Sequence, residues 1–171
     1  MSVDSVTTFY LEMMASSELC AKPENPLLEV KRCEIKQFQL NRFLYQLVGE
    51  QWGWTDKLKW TDEQWLTLVN SDKHQTWVAY FQGAIAGYYE LYREGLDVEI
   101  LYFGLSPEFI GQGFGGDLLT RAIRSAWAWP RTLLNDDETI RRVWVHTCSL
   151  DHPSALANYQ ARGFKIYKQE T

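Results

Sequence analysis

Gly111-Gln112-Gly113-Phe114-Gly115-Gly116 places four glycines within six residues. Glycine lets the backbone curl tightly and approach a ligand closely. A run of exposed N–H groups ahead of a helix makes an anion site, and its size suits a pyrophosphate. A second chemical signal lies just upstream. Glu99 interrupts the apolar run Val98-Glu99-Ile100-Leu101-Tyr102-Phe103-Gly104-Leu105. A carboxylate in such a run must be paired, sit at an edge, or do work.

The elements around these residues must position them. Val98 to Leu105 is short, apolar and aromatic-rich, so it reads as a buried strand that Pro107 ends. From Gly116 onward, Leu119, Ala122, Ile123, Ala126 and Trp127 follow the spacing of one helix face. The glycine loop thus joins a buried strand to a helix, which is expected to stop at Pro130. Upstream, Thr7–Met14 and Leu27–Ile35 read as strands, expected as a hairpin through the turn region Lys22–Pro26. Leu40, Phe43, Leu44, Leu47 and Val48 give a helix ending near Gly49. Thr61-Asp62-Glu63-Gln64 is a capping box, with Trp60 and Trp65 placed as a hydrophobic staple and Trp65, Leu68 and Val69 as the buried face. Gln75–Gln82 and Ile85–Tyr92 are strands turning at Gly83, and Arg93-Glu94-Gly95 leads into the strand carrying Glu99, forming an antiparallel meander. Arg131–Arg141 reads as an exposed loop, Val143–Cys148 as a strand, and Asp151-His152-Pro153 as the start of a helix with Pro153 near its first position. That helix ends at Gly163, and Phe164–Lys168 is a last strand.

With 171 residues and no repeat or linker, the chain is expected to form a single domain spanning 1–171. Its hydrophobic fraction of 46% is ample for a core. A net charge of −5 disfavours a nucleic-acid partner and mildly favours cationic small substrates. Cys20, Cys33 and Cys148 are odd in number and far apart, so free thiols in a reducing compartment are expected. Three scattered histidines give no metal cluster. Met1–Tyr10 lacks the pattern of a secretory signal, and no apolar run approaches the ~20 residues of a membrane span. A cytoplasmic protein is the expectation.

Gly111-x-Gly113-x-x-Gly116 matches the letters of a dinucleotide-binding fingerprint. In that fold the first glycine follows its strand directly and opens a series of βαβ units. Here residues 106–110 intervene, and too few elements come after the loop for a doubly wound sheet. The stretch instead resembles the central motif of the GNAT superfamily of acetyl-CoA-dependent N-acetyltransferases. That motif is a strand, a short link, then Gln or Arg, two free positions, Gly, one free position, and Gly or Ala opening a helix. Residues 110–115 fill it, with Ile110 where Gln or Arg is usual. Ala155, Tyr159, Gly163 and Phe164 fall on a second family motif, with His152 in place of its Asn. The resemblance is specific over Leu96–Lys168 and architectural before it.

The resemblance implies an α/β (α+β) GNAT fold: a mixed, mostly antiparallel sheet flanked by helices and splayed beside Leu105. It implies acetyl-CoA as co-substrate, no metal, and direct transfer of the acyl group to an amine. A homodimer is compatible with it. The cofactor would lie against the backbone at Leu105, against Gly111, Gln112, Gly113, Phe114, Gly115 and Gly116, and against His152 and Asn158. The Leu105 N–H would hold the thioester oxygen and the oxyanion. Tyr159 would protonate the departing thiolate; a phenol of pKa about 10 is neutral at pH 7. Glu99 falls where some members place a general base. A free alkylamine is mostly protonated at pH 7, so a base must take its proton. Glu50, Trp52 and Trp54 lie in the region that often covers the acceptor pocket, and aromatics beside acids suit a cationic or ring-bearing amine. The rival readings are transfer to another acceptor such as an alcohol, a longer acyl chain, and a CoA-binding sensor that has lost catalysis.

Overall fold

The computed structural model describes residues 5–129 and 138–171. Within them lie strands β1 (Thr8–Met13), β2 (Leu28–Arg32), β3 (His74–Phe81), β4 (Ala84–Glu94), β5 (Asp97–Leu105), β6 (Arg142–Cys148) and β7 (Lys165–Glu170). The helices among the described residues are α1 (Phe38–Gly49), α2 (Asp62–Val69), α3 (Phe114–Trp127) and α4 (Ala155–Ala161). One sheet runs β2-β3-β4-β5-β6-β1-β7. Every neighbouring pair is antiparallel except β5 with β6. The parallel pair arises from α3, whose length carries the chain back to start β6 alongside β5.

Two apolar layers sandwich the sheet. On one face Leu118, Leu119, Ala122, Ile123 and Ala126 of α3 meet Leu11, Met13, Tyr89, Leu91, Val98, Ile100, Val143 and Val145. On the other, Leu44 and Val48 of α1 cover Val78 and Tyr88. Beside them Tyr45, Trp65 and Val69 form an aromatic cluster with Trp54 and Tyr102. Thr61 caps α2 with a complete capping box, and the Trp60 and Trp65 rings lie 5.2 Å apart, as the staple requires. Leu68 is only half-buried.

Two irregularities in the sheet decide where the side chains of β5 point. Leu101 is an extra residue in β5 where Ile100 pairs Leu91 and Tyr102 pairs Glu90. The bulge shifts side-chain parity, so Val98, Ile100, Phe103 and Leu105 all serve the α3 layer while Tyr102 serves the other. Second, β5 and β6 pair only from Asp97–Glu99 to Arg142–Trp144, although β5 runs on to Leu105 and β6 to Cys148. Beyond Glu99 the two strands part. This is the splay expected beside Leu105.

The expected hairpin of the first two strands does not form. β1 lies between β6 and β7, and β2 is at the opposite edge against β3. The intervening segment 14–27 crosses the α3 face as a strap. Its Cys20 N–H donates to Arg162 O (2.8 Å), Lys22 N–H to Thr120 Oγ1 (3.1 Å) and Asn25 N–H to Asp117 Oδ2 (2.7 Å). Arg121 completes the strap by donating to the carbonyls of Asn25 and Leu28, both at 2.9 Å, while paired with Asp117. A hairpin would forgo these bonds between the strap and α3. Two boundaries also move. α3 starts at Phe114, with Gly113 as N-cap, and α4 starts at Ala155, leaving Pro153 in the turn before Ser154. There the Ser154 N–H donates to His152 Nδ1, which holds the turn ahead of the helix. Pro130 and most of Arg131–Arg141 lie outside the described residues.

Gly163 closes α4 with φ of +112°. Phe164 N–H donates to Tyr159 O and Gly163 N–H to Gln160 O, a Schellman-type ending. A Cβ at Gly163 would collide with the Glu18 carbonyl oxygen of the strap. Gly163→Ala is therefore expected to cost about 1–3 kcal/mol, seen as a Tm lowered by several degrees in a thermal melt.

Candidate active site

A cavity of about 590 Å³ opens beside the splayed end of β5. Phe103, Gly104 and Leu105 form its floor, and Gly111, Gly113, Gly115 and Gly116 one wall. Val48, Trp52 and Trp54 close a second side, and residues Asp151 to Arg162 of α4 and its approach close a third.

The glycine wall has the conformation its sequence requires. Gly111 (φ 80°) and Gly113 (φ 89°) are left-handed, which residues with a Cβ avoid. Gly113 caps α3 with no side-chain hydrogen bond, so the N–H groups of the first turn are free to serve an anion. Asn158 Nδ2 donates to Gly115 O at 3.1 Å and fixes α4 against that turn.

Tyr159 stands at the junction of cavity and core. It is 4% exposed, with Phe103 and Phe164 ring centroids at 6.1 and 6.0 Å. Burial, and secondarily the charge of Asp151, hold its phenol well above the usual tyrosine range. The group therefore stays protonated and available as a donor. Asp151 is itself held by Thr147 Oγ1, which donates to Oδ2 at 2.8 Å. His152 turns its ring edge-on to Trp52 at 4.9 Å, tying the α4 approach to the link between α1 and α2. Because His152 Nδ1 accepts from Ser154 N–H, this geometry assigns any single ring proton to Nε2.

Glu99 is placed differently. Val98 and Ile100 face the α3 layer, so alternation turns Glu99 to the other face. It lines a second, smaller cavity with Leu68, Tyr92 and Trp144, and pairs with His146 Nδ1 at 3.1 Å. The pair bridges β5 and β6 close to where they begin to part. Phe103, the nearest β5 residue on the main cavity wall, is four positions on, roughly 13 Å at strand rise.

Of the residues singled out from sequence, Trp52, Trp54, Leu105, Gly111, Gly113, Gly115, Gly116, His152, Asn158 and Tyr159 line the one cavity. Glu50, Glu99, Gln112 and Phe114 are not on its wall. Glu50 is exposed; Gln112 Nε2 donates to Glu108 O at 2.6 Å; Phe114 packs against Phe81 and Phe109 in the core. Sequence reasoning missed Lys22, Val48, Phe103, Gly104 and Arg162, which also line the cavity. Phe103 and Gly104 were legible as neighbours of Leu105. Lys22 arrives on the strap, and nothing local marks it. Among the described residues no group of three or more His, Cys, Asp or Glu is placed to hold a metal, and no helix is long and apolar enough to cross a membrane.

A glycine wall at a helix start thus lies beside the splayed end of a mixed sheet. The model of the Acetyltransferase (GNAT) family matches residues 40–164, and the chain belongs to this family. No curated protein matches it. Among solved structures it is similar to a GCN5-related N-acetyltransferase from Sphaerobacter thermophilus (TM-score 0.66, 15% identity, 96% of this chain and 49% of that one). It is also similar to a GCN5-related N-acetyltransferase from Kribbella flavida (0.64, 11%, 98% and 57%). An IAA acetyltransferase from Bacillus cereus aligns at TM-score 0.57 and 23% identity over 82% of this chain and 79% of that one. The chain thus spans about half the length of the first two.

Proposed function

We propose that the protein transfers an acetyl group from acetyl-CoA to a primary amine of a small molecule or peptide. One observation carries the reading: a single cavity joins the glycine wall, the splayed end of β5 at Leu105, and Tyr159. The pyrophosphate would rest on the N–H groups of the α3 start, and the thioester against the backbone near Leu105. The amine nitrogen attacks the thioester carbon, the C–S bond breaks from the tetrahedral intermediate, and the thiolate leaves. Tyr159 donates a hydrogen bond to the departing sulfur and then its proton. Trp52 and Trp54 form the acceptor wall, suited to a cationic or ring-bearing amine. Glu99 lies off the cavity wall, so it takes the amine proton through intervening water, with His146 as its partner.

Acetyl-CoA at millimolar concentration is expected to raise the Tm, because a ligand that binds only the folded state stabilises it by mass action. At 100 times its Kd the gain is about 2.7 kcal/mol. Free thiol release with acetyl-CoA and a panel of amines then tests turnover. A folded protein with no Tm shift would overturn the co-substrate; a shift without thiol release from any amine would favour a binding module.

A further inference from the structure

Lys22 and Arg162 come from opposite ends of the chain and meet on the first turn of α3. A Cβ built on Gly116 would lie 2.5 Å from Lys22 Cδ and 2.9 Å from Arg162 Nη1. Both side chains line the cavity beside the glycine wall. Arg162 Nε and Nη1 are closed off from solvent and have no hydrogen-bond partner. Among the described residues neither cation is in an ion pair. Two guanidinium nitrogens closed off without partners are costly, and natural proteins keep them where something offsets that cost. Asp151, the carboxylate on the cavity wall among the described residues, is engaged by Thr147. The chain as a whole carries a net charge of −5, so two unpaired cations converging on one helix start are a local reversal of its field.

We infer that Lys22 and Arg162 form a side-chain clamp for a phosphate of the acyl-CoA. The inference rests on the reading of this cavity as a CoA site. It supplies what Ile110 cannot, since that position carries no hydrogen-bonding side chain. Arg162 offers the fork geometry that pairs with phosphate oxygens, and Lys22 lays its methylene stem over Gly116 with its ammonium as a point charge. Hydrogen bonds of the strap hold the backbone that carries each cation. The Lys22 N–H donates to Thr120 Oγ1, and the Arg162 carbonyl accepts from Cys20 N–H. Because the strap also leads from β1 to β2, phosphate affinity depends on the seating of the N-terminal strand.

The test is isothermal titration of CoA and of pantetheine, which lacks every phosphate, against wild type, Lys22→Met and Arg162→Met. Lys22 is exposed, so its replacement spares the fold even if that of Arg162 does not. Each variant is expected to weaken CoA binding by about 10- to 100-fold, the worth of a hydrogen bond to a charged group. The salt dependence of CoA binding should become shallower, and pantetheine binding should be unchanged. Wild-type CoA affinity in Lys22→Met, or equal losses for CoA and pantetheine, would overturn the clamp while leaving the CoA site standing. Failure of the wild-type protein to bind CoA would overturn the functional reading and the clamp together.

Discussion

Gly115→Asp is expected to leave the protein folded and to weaken CoA binding by about 100-fold or more. The surroundings of that residue are the reason. A Cβ at Gly115 would meet only Asn158 Nδ2 at 3.5 Å and Leu105 Cδ1 at 3.9 Å, which are ordinary contacts. The backbone there is helical, in the first turn of α3, so a side chain brings no strain of its own. A carboxylate at this point would stand on the cavity wall among the N–H groups proposed to hold the pyrophosphate. It would take those hydrogen bonds for itself and repel the ligand's charge. Gly115→Ala adds the same Cβ without the charge and should cost much less. Gly113→Asp should abolish binding too, but its φ of 89° adds backbone strain, so it mixes two causes. Titration of CoA into all three variants, with far-UV circular dichroism as the fold control, checks the prediction. Full affinity in Gly115→Asp would move the phosphate away from this turn.

The sequence and the structure agree best where the signal is local. The glycine loop, the strand before it and the helix after it were legible because backbone conformation there is dictated by residue type: left-handed glycines, an apolar run, a 3.6-residue stripe. The capping box of α2 was readable for the same reason. Long-range pairing was not legible. Thr8–Met13 reads as a strand by alternation, yet alternation says nothing about which strand it joins, and proximity in sequence pointed wrongly to β2. The strap that separates them carries Lys22 to the cavity, so missing the topology meant missing that residue. Glu99 shows the opposite limit. A carboxylate in an apolar strand was bound to be noticed, but its face depends on the β5 register and its partner, His146, lies on another strand.

Tyr159→Phe is expected to lower kcat by about 10²–10⁴-fold, the range for a positioned general acid, with CoA affinity and Tm close to wild type. The ring packs against Phe103 and Phe164, and those contacts survive the change. Among the described residues no hydrogen bond to the Tyr159 hydroxyl is made, so its loss leaves no protein group newly unpaired. The deficit should persist across neutral to mildly basic pH. The phenol's pKa is held well above its usual value by burial, so wild type keeps its proton throughout that window, and the variant lacks it throughout. Glu99→Gln should behave differently. It keeps the side-chain shape but cannot accept a proton, so the rate falls at neutral pH and recovers as pH rises and the amine deprotonates unaided. A pH profile of kcat/KM for wild type and both variants, run with an amine that supports thiol release, separates the two roles. Wild-type turnover in Tyr159→Phe would remove the acid from this position while leaving the fold and the CoA cavity in place. Wild-type rates in Glu99→Gln at neutral pH would reduce the Glu99–His146 pair to a brace across the opening strands, and water would then take the amine's proton.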